Sequence, residues 1–257
     1  MTASRRRVLG LLGGTPLLAV AGEPAFADRT ATIGRLIEEA RARPHVAERI
    51  DFIAGRLIGS RYDDATLIGS PRRAEQFVVR DDAFDCVTYC EVVLAAAIAR
   101  DLGEFETALR RIRYDHGEVR YERRNHYFAD WCRRNIDNGL CRPVPIAPST
   151  MLDKTVTWHR EFGRHRVSIT AVGRATLFGN VRLLMPGDII GFVSRRPGLD
   201  FYHTGLIAFG PQGEFLLRHA SRSKGRVVEQ TMAAFARINP VTSVTLLRAT
   251  DPAVARR

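Results

Sequence analysis

The sequence predicts an α+β domain, with helices first and an antiparallel sheet after them. Two observations lead there. Apolar residues recur at helical spacing through most of the first half of the chain. After Pro143 the apolar runs become short, and Gly-Pro-Gln-Gly at 210–213 and Ser-Lys-Gly at 223–225 stand between them as turns. Helices and strands that are segregated along a chain, not alternating, belong to α+β architectures.

Residues 30–60 read as two helices. Ile33, Leu36, Ile37 and Ala40 share one face, and Ile50, Ile53, Ala54, Leu57 and Ile58 share another, with Pro44 between the two runs. The pattern is lost from Gly59 to Ala83. Gly69, Ser70 and Pro71 mark a loop there, and Phe77-Val78-Val79 reads as a short strand. Asp85 is a good N-cap residue for the helix that follows, and Val87, Val92, Val93, Ala95, Ala96, Ile98 and Ala99 make that helix a buried one. Further helices are expected over Glu104–Arg113 and His126–Ile136. In the second half Val167, Ile169 and Ala171 alternate. Apolar runs follow at Asp188–Val193, Thr204–Phe209, Glu214–Ala220, Arg226–Glu229 and Ser243–Leu247. No internal repeat or low-complexity linker interrupts the chain.

The first 27 residues read as a secretion signal, leaving 28–257 as one domain. Arg5, Arg6 and Arg7 precede an apolar run from Val8 to Ala21, and Ala25-Phe26-Ala27 ends it with small residues at the two positions a signal peptidase reads. The adjacent arginines favour the twin-arginine route. Gly13, Gly14 and Pro16 make the run a poor membrane span. Export to the periplasm or cell envelope is therefore expected, without stable membrane insertion once the signal is removed. The chain carries +11, and three arginines with one glutamate in the signal bring the mature charge to +9. Such a charge suits anionic wall or lipid surfaces. No basic stripe or motif points to nucleic acid.

The four cysteines are Cys86, Cys90, Cys132 and Cys141. An oxidising compartment permits disulfides, and the loop between Cys132 and Cys141 makes a bridge there feasible. Cys86 and Cys90 stand one helical turn apart, too far for a relaxed bridge. No paired Cys-x-x-Cys supports a zinc ribbon or thioredoxin-type site.

Three residues are candidates for chemistry. Cys86 opens the buried helix, where free N–H groups and the helix dipole favour a thiolate and can cradle an oxyanion. His203 stands at the mouth of an apolar strand, exposed enough to titrate and fixed enough to orient. His219 lies on the next strand, and neighbouring antiparallel strands bring such rings side by side. Singly, each has a plain structural reading: a core cysteine, a surface histidine, a half-buried histidine. Together they give nucleophile, base and orienting group. A cysteine opening a helix, followed by histidines on successive strands, is the order of a papain-like hydrolase.

The surrounding residues carry a resemblance. Phe84-Asp85-Cys86-Val87-Thr88-Tyr89-Cys90-Glu91 resembles the nucleophile helix of the NlpC-type cell-wall cysteine peptidases, and more closely that of their N-acetylmuramoyl-L-alanine amidase-like subgroup. Met185–Ile190, Tyr202–Ile207 and Leu217–Ser221 resemble the strands around the base and the third member. The segment Arg124–Trp131 resembles one seen in the amidase-like subgroup. The resemblance implies a papain-like fold with the nucleophile helix packed on an antiparallel β-sheet, and hydrolysis of a peptidoglycan amide without metal or cofactor. Cys86 would attack, His203 would take its proton and His219 would orient His203. Tyr62 resembles a tyrosine near the oxyanion, although Arg61 stands where proline is usual. Cys90 replaces a usual apolar residue and reads as core packing. Asn125 and His126 are candidate substrate residues, with a helix cap and a surface histidine as the alternative. His45, His116, His159 and His165 read as surface residues, and Asp188 as part of a turn.

The implied substrate is peptidoglycan or its muropeptide fragments, and the implied scissile bond joins N-acetylmuramic acid to L-alanine. An endopeptidase cutting between D-glutamate and a diamino acid would use the same residues. A non-catalytic wall-binding module and a lipid acyltransferase of similar fold are rivals of other classes.

Overall fold

The computed structural model describes residues 26–251. Most of the expected secretion signal therefore lies outside the described residues. Helices α1 (Phe26–Ala40) and α2 (Val46–Arg56) fall where the periodicity placed them. The short strands β1 (Arg61–Tyr62), β2 (Ile68–Ser70), β3 (Arg73–Gln76) and β4 (Ala83–Phe84) follow. Helices α3 (Cys86–Ile98), α4 (Leu102–Arg113) and α5 (Phe128–Asp137) complete the first half. Then come β5 (Cys141–Pro143), β6 (Ser149–Val156), β7 (His165–Gly173), α6 (Arg174–Gly179), β8 (Ile189–Val193), β9 (Phe201–Phe209), β10 (Phe215–Ser221), β11 (Arg226–Thr231), α7 (Met232–Ile238) and β12 (Ser243–Ala249).

Ten strands form one sheet, in the order β4-β1-β11-β10-β9-β8-β12-β7-β6 with β5 paired to β12. Every pairing is antiparallel except β1 with β4. Neighbouring residues along a strand face opposite ways. Ile189, Leu206 and Leu247 accordingly join the core beneath α1 to α5, while Ile190, Ile207 and Leu246 join a second core with Leu177 of α6 and Met232 and Phe235 of α7. The sheet is thus covered by five helices on one face and two short ones on the other.

Helix α3 is central, with a run from Thr88 to Ala97 buried throughout. A helix that is apolar on all sides must be packed on all sides. Its one buried charge, Glu91, is met at 2.7 Å by Arg113 at the end of α4, whose guanidinium also reaches the Val78 carbonyl at 2.6 Å. The α3 N-terminus is closed by a capping box. The Asp85 carboxylate accepts from Val87 and Thr88 N–H, and Thr88 Oγ1 accepts from the Asp85 N–H.

Two local expectations are corrected, and one strand, β6, is new. The strand near Phe77 is instead Arg73–Gln76, because the Pro71-Arg72 turn pairs those residues with β2, and Phe77 packs under Arg110. Strand β6 has no alternating apolar signal because most of it is an exposed edge. Cys132 and Cys141 are both buried free thiols, not a bridge. Cys90 is buried core, its sulfur 3.9 Å from Thr204 Oγ1. Asp188 does more than close its turn. It accepts the Met185 N–H at 2.8 Å and binds Arg248 with both oxygens.

Candidate active site

The site assembles where β9 and β10 part. Their ladder runs from Phe209–Phe215 to Leu206–Arg218. One step further stand Gly205 and His219. A Cβ on Gly205 would lie 2.7 Å from the Arg218 carbonyl oxygen and 3.0 Å from the His219 Cβ, so only glycine lets the strands approach there. Past this point the strands are joined by side chains. Nε2 of His203 lies 2.6 Å from Nδ1 of His219, with the rings edge to face.

Both strands are held from outside. Arg218 binds Asp51 of α2 at 2.7 Å and Glu229 of β11. The approach to His203 is tied down by the Asp200 carboxylate, which accepts the Ala129 N–H at 2.8 Å. Lys154 also bonds the Ser194 and Leu199 carbonyls, each at 2.6 Å. The His203 ring stacks on Phe192 and Phe235.

A fourth polar group stands beyond the two histidines. Nε2 of Gln230 lies 2.9 Å from Nε2 of His219. Sequence reading missed Gln230 because its strand ended, by pattern, at Glu229. The only available signal was its distance in register from His219.

Cys86 approaches β9 from the α3 side. The backbone N–H groups of Thr204, the residue after His203, and of Cys86 and Val87 lie near enough to favour its thiolate. Tyr62 is carried close by the β1–β4 pairing, which sets it beside Phe84. Burial raises the Tyr62 hydroxyl to about 12, with the charges of Cys86 and Asp85 adding to the rise.

The protonation states differ from the expected thiolate. Burial, then the Asp85 carboxylate, pushes the Cys86 thiol up to about 12, and three N–H groups do not offset them. The aspartate that caps the helix also places a negative charge beside the sulfur. His203 is not free to titrate at the surface. Burial and the neighbouring His219 lower it to about 3, and burial lowers His219 to about 4. The resting site is a neutral thiol with two neutral imidazoles.

A family model described as AmiA-like, N-acetylmuramoyl-L-alanine amidase-like, matches residues 52–242. The chain belongs to that family. The matched span holds Tyr62, Cys86, His203, His219 and Gln230. Solved structures agree in fold. An N-acetylmuramoyl-L-alanine amidase from Bacteroides uniformis is 22% identical with a TM-score of 0.71, over 80% of this chain and 99% of that one. A protein from Legionella pneumophila is 22% identical with a TM-score of 0.75, over 87% of this chain and 95% of that one. A putative xylanase from Bacteroides fragilis is 23% identical with a TM-score of 0.67, over 76% and 98% respectively. Among curated proteins nothing matches this sequence.

In this amidase-like chain Asn125 and His126 are bonded within their own segment. Asn125 donates to the Ile112 carbonyl at 3.0 Å and accepts from Arg134. His126 contacts the Tyr121 carbonyl at 2.6 Å and packs among Tyr121, His159 and Phe162. Burial lowers His126 to about 4. Neither bonds to Cys86, His203 or His219. His159 belongs to that aromatic cluster and is half-buried, not a free surface residue, and His165 is paired with Asp130 at 2.8 Å. His45 and His116 are exposed, as read from the sequence.

A cavity of about 250 Å³ borders Tyr202, His203, His219, Arg222, Gln230 and Phe235, and Cys86 is not among its lining residues. A larger cavity of about 460 Å³ lies between α5 and β6–β7, walled by Cys132, Ile146, Ile169 and Leu247. It touches neither Cys86 nor the histidines, whereas the smaller cavity is bordered by both His203 and His219. Among the described residues no helix is long and apolar enough to cross a membrane.

Proposed function

We propose that this family member is a cysteine-dependent N-acetylmuramoyl-L-alanine amidase, papain-like in its mechanism. The observation that carries the reading is the thiol at the start of α3, a helix packed on β9, the strand of a histidine whose Nε2 is taken by a second histidine. His219 occupies Nε2 of His203, which leaves Nδ1 for the thiol proton. Sulfur attacks the lactyl carbonyl carbon of N-acetylmuramic acid as its proton passes to Nδ1, and the carbonyl electron pair moves onto oxygen. The N–H group of Cys86 at the helix start, with Tyr62 close by, suits that oxyanion. Collapse expels the amine of L-alanine, which takes the proton back from His203, and water then hydrolyses the thioester. Because both partners rest neutral, His203 acts as a general base during attack. No preformed thiolate is needed.

Residues 1–27 are proposed as a twin-arginine signal that delivers residues 28–257 to the periplasm or cell envelope, where the wall substrate lies. N-terminal sequencing of the enzyme recovered from the envelope should begin at Asp28, and an intact Met1 would refute export by cleavage.

The function is tested by mass spectrometry of defined muropeptides incubated with the protein and its Cys86→Ala variant. Free stem peptide beginning at L-alanine, absent with the variant, is the expected result. A fragment beginning at the diamino acid would move the assignment to a stem-peptide endopeptidase with the same residues. No release from any fragment would favour a wall-binding module.

A further inference from the structure

We propose that Gln230 is a positioning residue of this site, whose side-chain amide selects the tautomer of His219 and through it that of His203. The inference rests on the reading of Cys86 and His203 as nucleophile and base.

The geometry is a staircase across three adjacent strands. Gln230 of β11 pairs with Leu217 of β10, while His219 pairs with Val228. Gln230 is therefore a diagonal neighbour of His219 on the same face, a separation that a long side chain can span. His203 is likewise one diagonal step from His219, because Gly205 stands opposite it. The resulting chain is His203 Nε2 to His219 Nδ1 at 2.6 Å, then His219 Nε2 to Gln230 at 2.9 Å. Each contact joins one donor to one acceptor, so the state of the last group sets the others.

Two arrangements satisfy the chain. With the Gln230 amide N–H donating, as the atoms stand, His219 carries its proton on Nδ1 and donates to His203 Nε2. The His203 proton is then on Nδ1, where it faces a thiol as a donor and cannot accept. Half a turn of the amide brings its carbonyl oxygen to the same place. His219 then carries its proton on Nε2, His203 carries its own on Nε2, and Nδ1 presents a lone pair. Only this second arrangement serves general-base catalysis. A glutamine supplies both, so the amide is the point at which the pair is set. His219 stays neutral throughout and accepts one hydrogen bond from the imidazolium that His203 becomes.

The test uses Gln230→Met, which fills the space without a polar end, and Gln230→Glu, which can only accept when ionised. Turnover of a muropeptide is measured against pH, and the ring-nitrogen NMR shifts of His219 are recorded. Gln230→Met should lower kcat about tenfold, the worth of one ordinary hydrogen bond, with KM unchanged. Its His219 should show mixed tautomers. Gln230→Glu should keep at least the original kcat, move the acid limb of the profile to higher pH and hold His219 with its proton on Nε2. The proposal is overturned if Gln230→Met retains the original kcat and tautomer, or if Gln230→Glu is as impaired as Gln230→Met. Failure of the underlying reading is recognised separately, by turnover that survives Cys86→Ala or His203→Ala. In that event the NMR shifts, which need no turnover, still decide the role of Gln230.

Discussion

Gly205→Ala is the most direct probe of how the site is held. The added Cβ would meet the Arg218 carbonyl oxygen at 2.7 Å, Leu217 Cδ1 at 2.9 Å and the His219 Cβ at 3.0 Å. Unstrained carbon contacts lie at about 3.5–4.0 Å, so β10 must retreat by roughly 0.5–1 Å. Two of the three obstacles belong to Arg218 and His219. Arg218 is clamped to Asp51 and Glu229, so the easier motion carries His219 away from His203. Added to the 2.6 Å separation, that shift brings the pair to the limit of a hydrogen bond. The overpacking should cost about 1–3 kcal/mol of stability, and the displaced base should lower kcat by about 100-fold. Gly179→Ala is the control, since its Cβ would meet nothing within 4 Å. Urea unfolding and muropeptide turnover are the assays. A Gly205→Ala protein that remains folded, with full kcat and an intact His203–His219 bond, would refute the reasoning.

Other consequences follow from protonation and burial. A thiol held near 12 beside a histidine held near 3 predicts slow alkylation of Cys86 at neutral pH, rising towards alkaline pH; a rate already at its plateau below pH 7 would show a preformed ion pair. His219 is buried, and its folded-state value is lowered from 6.5 to about 4. Below 6.5 the unfolded chain takes up a proton that the folded state refuses until about 4, so stability present above 6.5 is lost as pH falls through that window. The loss should approach about 3 kcal/mol at full weight, and His219→Asn should lose correspondingly less between pH 6.5 and 4.5 in urea titrations. Glu91→Gln leaves Arg113 buried without its carboxylate and should destabilise by about 3–5 kcal/mol. Replacing both residues with leucine should cost less, and a Glu91→Gln protein that melts like the parent would show the pair to be idle.

The local parts of the site are legible in the sequence. Asp85 before an apolar run announces a helix start, and so places Cys86 at its first turn. Turn residues around 210–213 set two strands side by side and bring His203 and His219 onto neighbours. The break at Pro44 and the α+β order are equally local, because caps, turns and periodicity act over a few residues.

What the tertiary structure decided is non-local. Gln230 and Gly205 matter only through the register of β9, β10 and β11, which no single segment encodes. Asn125 and His126 look like site residues beside an aromatic helix, yet Arg134, Ile112 and Tyr121 occupy their polar atoms. The helix dipole favours a thiolate at Cys86, but desolvation by the packed sheet and the charge of Asp85 outweigh it. Sequence by itself determined which groups are present and on which elements they start. Folding decided which of them touch and which hold protons, because hydrogen-bond register and the loss of water are properties of several chain segments brought together.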